Sequence, residues 1–245
     1  MKRIWNLLLT TLLLIFCAAP ASAQFRFGVK AGLNLATIAP SSDLDKFYEE
    51  DYVGTGFNAK MIPSFHVGVL GEYDFSSKLG LGLGLQLTGK GYRFDESFDD
   101  VRYKEKITPL YLQIPLTFNF HTKGFFAAIG PYLAFGIAGK YEATYEENGD
   151  AETLDGKLSF DNAFNEDGDV LAENVGPTDL GAGLELGYEF HGHFRVSASY
   201  SVGLTNIYSK KLVELAKEEG DIANFKATHR VIGLSATYLF GSRAE

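Results

Sequence analysis

Two histidines, His66 and His229, lie beside long polar connections, and with Asp179 or a nearby serine they supply the residue types of a base, an orienting acid and a nucleophile. That set would suit a hydrolase or acyltransferase at the rim of a scaffold. Histidines are common at such rims without catalysis, so no catalytic residue is assigned. A second run, Asn165-Glu166-Asp167-Gly168-Asp169, is like part of a calcium loop. Setting its glycine at the sixth position puts Ala163 first and Asn174 last, where an aspartate and a glutamate are required. It is therefore no EF-hand, and no metal or cofactor is assigned. A third set places Arg26, Lys30, Lys90, Lys140 and Arg195 on the same side-chain parity as Glu72, Asp74, Glu185 and Glu189. Carboxylates so well supplied with bases are expected to pair with them rather than cleave a substrate.

The segments that carry these residues alternate with period two. From Phe25, one parity reads Phe25, Phe27, Val29, Ala31, Leu33, Leu35 and the other Arg26, Gly28, Lys30, Gly32, Asn34, Ala36. On a strand these parities face opposite ways, which gives one apolar and one polar surface. The pattern returns in Ser64 to Phe75, Leu79 to Lys90, Leu110 to Phe120, Leu180 to Phe190, Val196 to Leu204 and Ile232 to Phe240. A further segment, Phe125 to Tyr141, is apolar on both parities. Eight strands result. Their connections alternate between short, at residues 76–78, 121–123 and 191–192, and long, near 38–62, 94–105, 142–175 and 208–226. An up-and-down barrel puts its short turns at one end and its long loops at the other.

Composition supports this reading. Aromatic residues make up 14% of the 245, with 27 Gly against 7 Pro and 2 Met, a balance that favours strands over a helical bundle. The net charge of −9 argues against nucleic acid, whose binding rests on Lys and Arg. At the start, Lys2 and Arg3, the apolar run Leu7 to Phe16 and Ala21-Ser22-Ala23 read as a secretory signal peptide over residues 1–23, with the barrel domain at 24–245. The apolar run is short for a spanning helix, and Phe16 stands where a lipoprotein would carry a small residue before Cys17. Cleavage removes Cys17, the only cysteine, and with it any disulfide or thiolate metal site.

Which parity faces outward separates two functions. A lipocalin-like soluble binder would line a ligand cavity with the apolar parity, whereas a membrane barrel turns it to lipid. The polar parity here is mostly glycine and small hydroxyls, which suits a narrow interior. Aromatic pairs gather beside the short turns, at Phe25/Phe27, Tyr73/Phe75, Phe118/Phe120, Tyr188/Phe190 and Tyr238/Phe240, as in a girdle at lipid headgroups. Gly28-Val-Lys-Ala-Gly-Leu-Asn34, Tyr111-Leu-Gln-Ile-Pro115, Gly130-Pro-Tyr132, Gly181-Ala-Gly-Leu-Glu185 and Tyr200-Ser-Val-Gly-Leu-Thr-Asn206 together resemble the PorT-type outer-membrane β-barrel family. The resemblance implies an eight-stranded barrel in the outer membrane of a Gram-negative cell and little chemistry. The family's link to protein secretion does not follow from fold alone.

The expectation is thus an all-β, eight-stranded antiparallel transmembrane barrel with three short periplasmic turns and four long extracellular loops. Arg26, Lys30, Glu72, Lys90, Glu185, Glu189 and Arg195 are expected to pair inside it and plug the lumen, with Gln86, Tyr111 and Gln113 sharing the space. It is read as a monomer with a structural or interaction role, a soluble lipocalin-like binder and a rim enzyme being the alternatives. Residues 142–175 hold eleven Asp or Glu and one Lys, nearly all of the net charge of −11 left once Lys2 and Arg3 are removed, and form either a solvated repulsive loop or a docking surface for a basic partner or divalent cations.

Overall fold

The computed structural model describes residues 24–47, 58–98, 101–147, 150–158, 160, 175–210, 213–214 and 224–241. The leader with Cys17 and the calcium-like run lie outside them. The strands are β1 (Gln24–Pro40), β2 (Ile62–Asp74), β3 (Leu79–Gly89), β4 (Tyr92–Phe98), β5 (Val101–Thr122), β6 (Phe125–Glu147), β7 (Asp150–Lys157), β8 (Thr178–Phe190), β9 (Phe194–Gly203) and β10 (Ala227–Phe240). A six-residue helix, α1 (Ser42–Phe47), follows β1.

Every pairing is antiparallel, and the order β5-β3-β2-β1-β10-β9-β8-β6 returns on itself through β5 and β6. That ring has eight members. β4 and β7 stand outside it as partners of the far ends of β5 and β6, so β4-β5-β6-β7 form a four-stranded sheet that rises beyond the barrel. The connection near 94–105 is accordingly a hairpin rather than an irregular loop, and the one at 142–175 begins with a second hairpin. The polypeptide leaves the barrel wall at Gly91, whose φ of 135° suits glycine alone and whose missing Cβ makes room for the Ile107 carbonyl. Two short connections are tight because their residues take positive φ: Lys123 (48°) with Gly124 (86°), and His191 (51°) with Gly192 (73°).

The apolar parity points outward. Phe27 is 56% exposed, Leu33 69%, Leu83 57% and Leu234 59%, whereas Arg26, on the other parity, is fully buried. A soluble binder would show the reverse, so the lipocalin-like alternative fails on the direction of its side chains. Around the short-turn end the rings touch one another: Phe27 stacks on Phe240 at 4.8 Å, Tyr238 meets Phe240 at 5.0 Å, Phe125 meets Tyr188 at 5.3 Å and Tyr188 meets Phe190 at 4.8 Å. The other end is closed by a conventional core, in which Ile38, Leu44 of α1, Tyr92, Phe94, Ile107, Val175 and Ile207 are buried together.

Candidate functional site

Read from the short-turn end upward, β1 alone presents Arg26, Lys30, Asn34 and Ile38 to the interior, and these define successive layers. In the first, Arg26 donates from Nη2 to Glu72 at 2.8 Å and from Nη1 to Glu189 at 2.7 Å, while Arg195 donates to the same two carboxylates at 2.7 Å each. Two guanidiniums and two carboxylates thus form a closed square. Asp74 lies 3.6 Å from Arg26 and 3.7 Å from His121, and the Phe126 ring packs 3.6 Å from the Arg195 guanidinium carbon. Each member of the square is at most 6% exposed. Arg26–Glu72 and Arg195–Glu189 join opposite residues on neighbouring strands, β1 with β2 and β9 with β8, whereas Arg26–Glu189 and Arg195–Glu72 link strands that are not neighbours and so carry the square across the lumen.

The second layer pairs Lys30 with Glu185 at 2.6 Å, and Ser197 donates to the same carboxylate. Above it, His66 bonds through Nδ1 to Asn34 at 2.8 Å and through Nε2 to Ser235 at 2.9 Å, while Asn34 donates to Thr88 and to the Phe65 and Gly89 carbonyls. The last polar layer joins Lys90 to Asp179 at 2.6 Å, with the ammonium 4.3 Å from the centre of the Tyr132 ring. Tyr132 donates to the same carboxylate, and Tyr111 contacts His229 at 3.3 Å. Between these layers is a polar cavity of about 120 Å³, bordered among others by Lys30, His66, Gln86, Gln113 and Glu185.

The seven residues expected inside are all on the inner face and all ion-paired. Lys140 is not: it is exposed on the sheet beyond the barrel. The register slips where Leu110 pairs with Ala138 and Tyr111 with Gly136, leaving Ile137 bulged, and this one-residue insertion reverses the parity of everything after it on β6. Asp179 lies near His229 but is bonded to Lys90, and the two histidines have different hydrogen-bond partners, His66 with Asn34 and Ser235 and His229 with Tyr111. Sequence reasoning missed the hydrogen-bonded tie of Asn34, His66 and Ser235. Its only signal was an Asn, a His and a Ser at mid-strand on the polar parity. Among the described residues no group of acids, histidines or cysteines is arranged to hold a metal.

The chain is similar to several solved outer-membrane proteins. Against Ail of Yersinia pestis the identity is 16%, with 89% of this chain and 99% of that one covered and a TM-score of 0.39. Against Neisserial surface protein A the values are 11%, 87%, 97% and 0.39, and against OprG of Pseudomonas aeruginosa 13%, 89%, 96% and 0.32. At such values the likeness carries no functional argument. A search of curated proteins returns no match. The family model described as "Outer membrane protein beta-barrel domain" matches residues 19–209, well over half of the length. A closed ring of strands with an apolar outer face fits that description, and the chain belongs to this outer-membrane β-barrel family.

Proposed function

We propose that the protein is a sealed barrel of PorT type, carried to the outer membrane by a cleaved leader, which acts as a monomeric cell-surface scaffold rather than as a pore or an enzyme. The square of Arg26, Glu72, Arg195 and Glu189 carries this reading. Charges bonded to each other across the lumen offer a passing ion neither a path nor an unmet ligand, and in eight strands the interior is only wide enough for side chains. The Lys90–Asp179 pair and the apolar core above it close the other end. In planar bilayers the purified protein is expected to show no stable single-channel steps in molar salt. Large steps would refute the plug.

The hydrogen-bonded Ser235, His66 and Asn34 have the order of a nucleophile, a base and an orienting amide. Ser235 is 3% exposed and does not border the cavity, so a substrate has no approach to its hydroxyl. The group serves as a tie between β1, β2 and β10. The leader reading has its own test: intact mass of the purified protein should correspond to a chain beginning at Gln24, and a retained, acylated Cys17 would overturn it. With the short turns toward the periplasm, the acidic 142–175 connection and the hairpin of β6 and β7 within it face the exterior. There they are placed to meet a protein partner, and the PorT-like runs make protein secretion the process in which to seek one.

A further inference from the structure

The sheet that rises beyond the barrel is electrostatically two-faced. Its register aligns Tyr92, Ile107, Tyr141 and Gly156 in one row, Phe94, Glu105, Ala143 and Leu154 in the next, then Glu96, Tyr103, Tyr145 and Glu152, and finally Glu147 and Asp150. All of these share the face that continues the barrel's interior. The opposite face carries Arg93, Arg102, Lys104, Lys106, Lys140 and Lys157, which are all the basic residues of this sheet. Five acids and no base are thus left on the inner face. Alternation alone does not require this, since four acids share the outer face with the bases.

The rows nearest the barrel are buried in the apolar core, but the outer rows are open: Tyr103 is 36% exposed, Tyr145 45% and Leu154 62%. Tyr103 donates its hydroxyl proton to Glu105 at 2.9 Å and Tyr145 donates to Glu147 at 3.2 Å. With those protons committed, the face offers a ligand only ring surfaces, aliphatic surface and carboxylate oxygens. A sugar needs both donors and acceptors. A divalent cation needs converging carboxylates, which the described residues do not provide. What such a face accepts is a donor with positive charge and a flat or aliphatic body, which is the chemistry of arginine and lysine side chains.

Building on the scaffold reading, we infer that the inner face of β4-β5-β6-β7 is a docking surface for an extended, arginine- and lysine-rich segment of a protein partner. Cationic heads sit over Tyr103 and Tyr145 and pair with Glu96, Glu105, Glu147 and Glu152, while Leu154 takes an aliphatic stem. Burial pushes the carboxyls of Glu96 and Glu105 up from the usual carboxylate range, and a cation bound beside them would favour their ionised forms.

The test uses the full-length mature protein in lipid nanodiscs and a fluorescein-labelled peptide of five Arg-Ser repeats, read by anisotropy, with five Glu-Ser repeats as control. The arginine peptide is expected to bind and the glutamate peptide not. Glu105→Gln with Glu152→Gln, and separately Tyr103→Ala with Tyr145→Ala, should each weaken binding about tenfold. Glu142→Gln with Glu146→Gln removes the same charge from the outer face and should change it less than twofold. Equal loss from both faces would mean that net charge alone attracts the peptide, and self-association through this face would make a second copy the occupant; either result overturns the proposal. Heat-modifiable migration certifies that each variant is folded. A strain lacking residues 145–157 separates the two readings. If that deletion abolishes the surface phenotype while the inner-face variants keep it, the scaffold stands and this docking surface falls.

Discussion

Arg195→Ala is expected to destabilise the folded barrel by about 3–5 kcal/mol, the range for breaking a buried ion pair from one side. The reason lies in the square. Removing Arg195 leaves Arg26 as the one guanidinium beside Glu72, Glu189 and Asp74, and a buried carboxylate that loses its charged partner has given up hydration that nothing replaces. Arg195→Met together with Glu189→Leu takes away one charge of each sign and should cost clearly less than Arg195→Ala. Urea unfolding in detergent micelles, followed by tyrosine fluorescence and heat-modifiable migration, reads both. A double variant no more stable than the single one would show that packing volume rather than charge balance holds this layer.

Leu234→Arg and Leu154→Arg place the same charge at two leucines of similar exposure, 59% and 62%, and should differ by several kcal/mol. Leu234 stands midway along β10 beside Leu33, itself 69% exposed, in the outward apolar band. In a bilayer a midplane arginine costs about 2–4 kcal/mol. Leu154 belongs to the sheet beyond the band, where the arginine remains in water and the cost falls to about 0.5 kcal/mol or less. Equilibrium unfolding from phosphatidylcholine vesicles supplies the comparison. Equal, small effects would mean that the outward band does not contact lipid.

The ring was legible because period-two alternation is a direct record of which way side chains point, and β1 shows it without interruption from Phe25 to Ala36. Most of the interior set followed from the same parity, since charges inside eight strands have only each other to meet. What the alternation cannot register is a change of its own phase. The bulge at Ile137 moved Lys140 to the outside, and nothing in Phe125 to Tyr141, apolar on both parities, marked the reversal. The hairpins beyond the barrel were read as loops because Arg93 to Lys106 is dense in charge. Yet Tyr92, Phe94 and Ile107 keep the inward parity and are buried, so the strand pattern was present beneath the polarity. Partner choice within the interior was not legible, because Lys90, just past the end of β3, reaches Asp179 of β8 across the lumen through the closure of the ring.

The seam of the ring joins the two ends of the chain: β1 pairs with β10 over fourteen residues, from Phe27 with Phe240 to Pro40 with Ala227. Translocation delivers an exported chain beginning with its N-terminus, so β1 reaches the periplasm with its partner still to come. Its free edge has to be shielded through that interval, because an unpaired apolar strand is a template for association with other chains. Closure also carries the entropy of the longest loop the molecule contains. The ring therefore cannot close before the fourteen-residue β10 is in place, and a chain truncated before Ala227 would keep two open edges, on β1 and β9, instead of forming a shorter barrel.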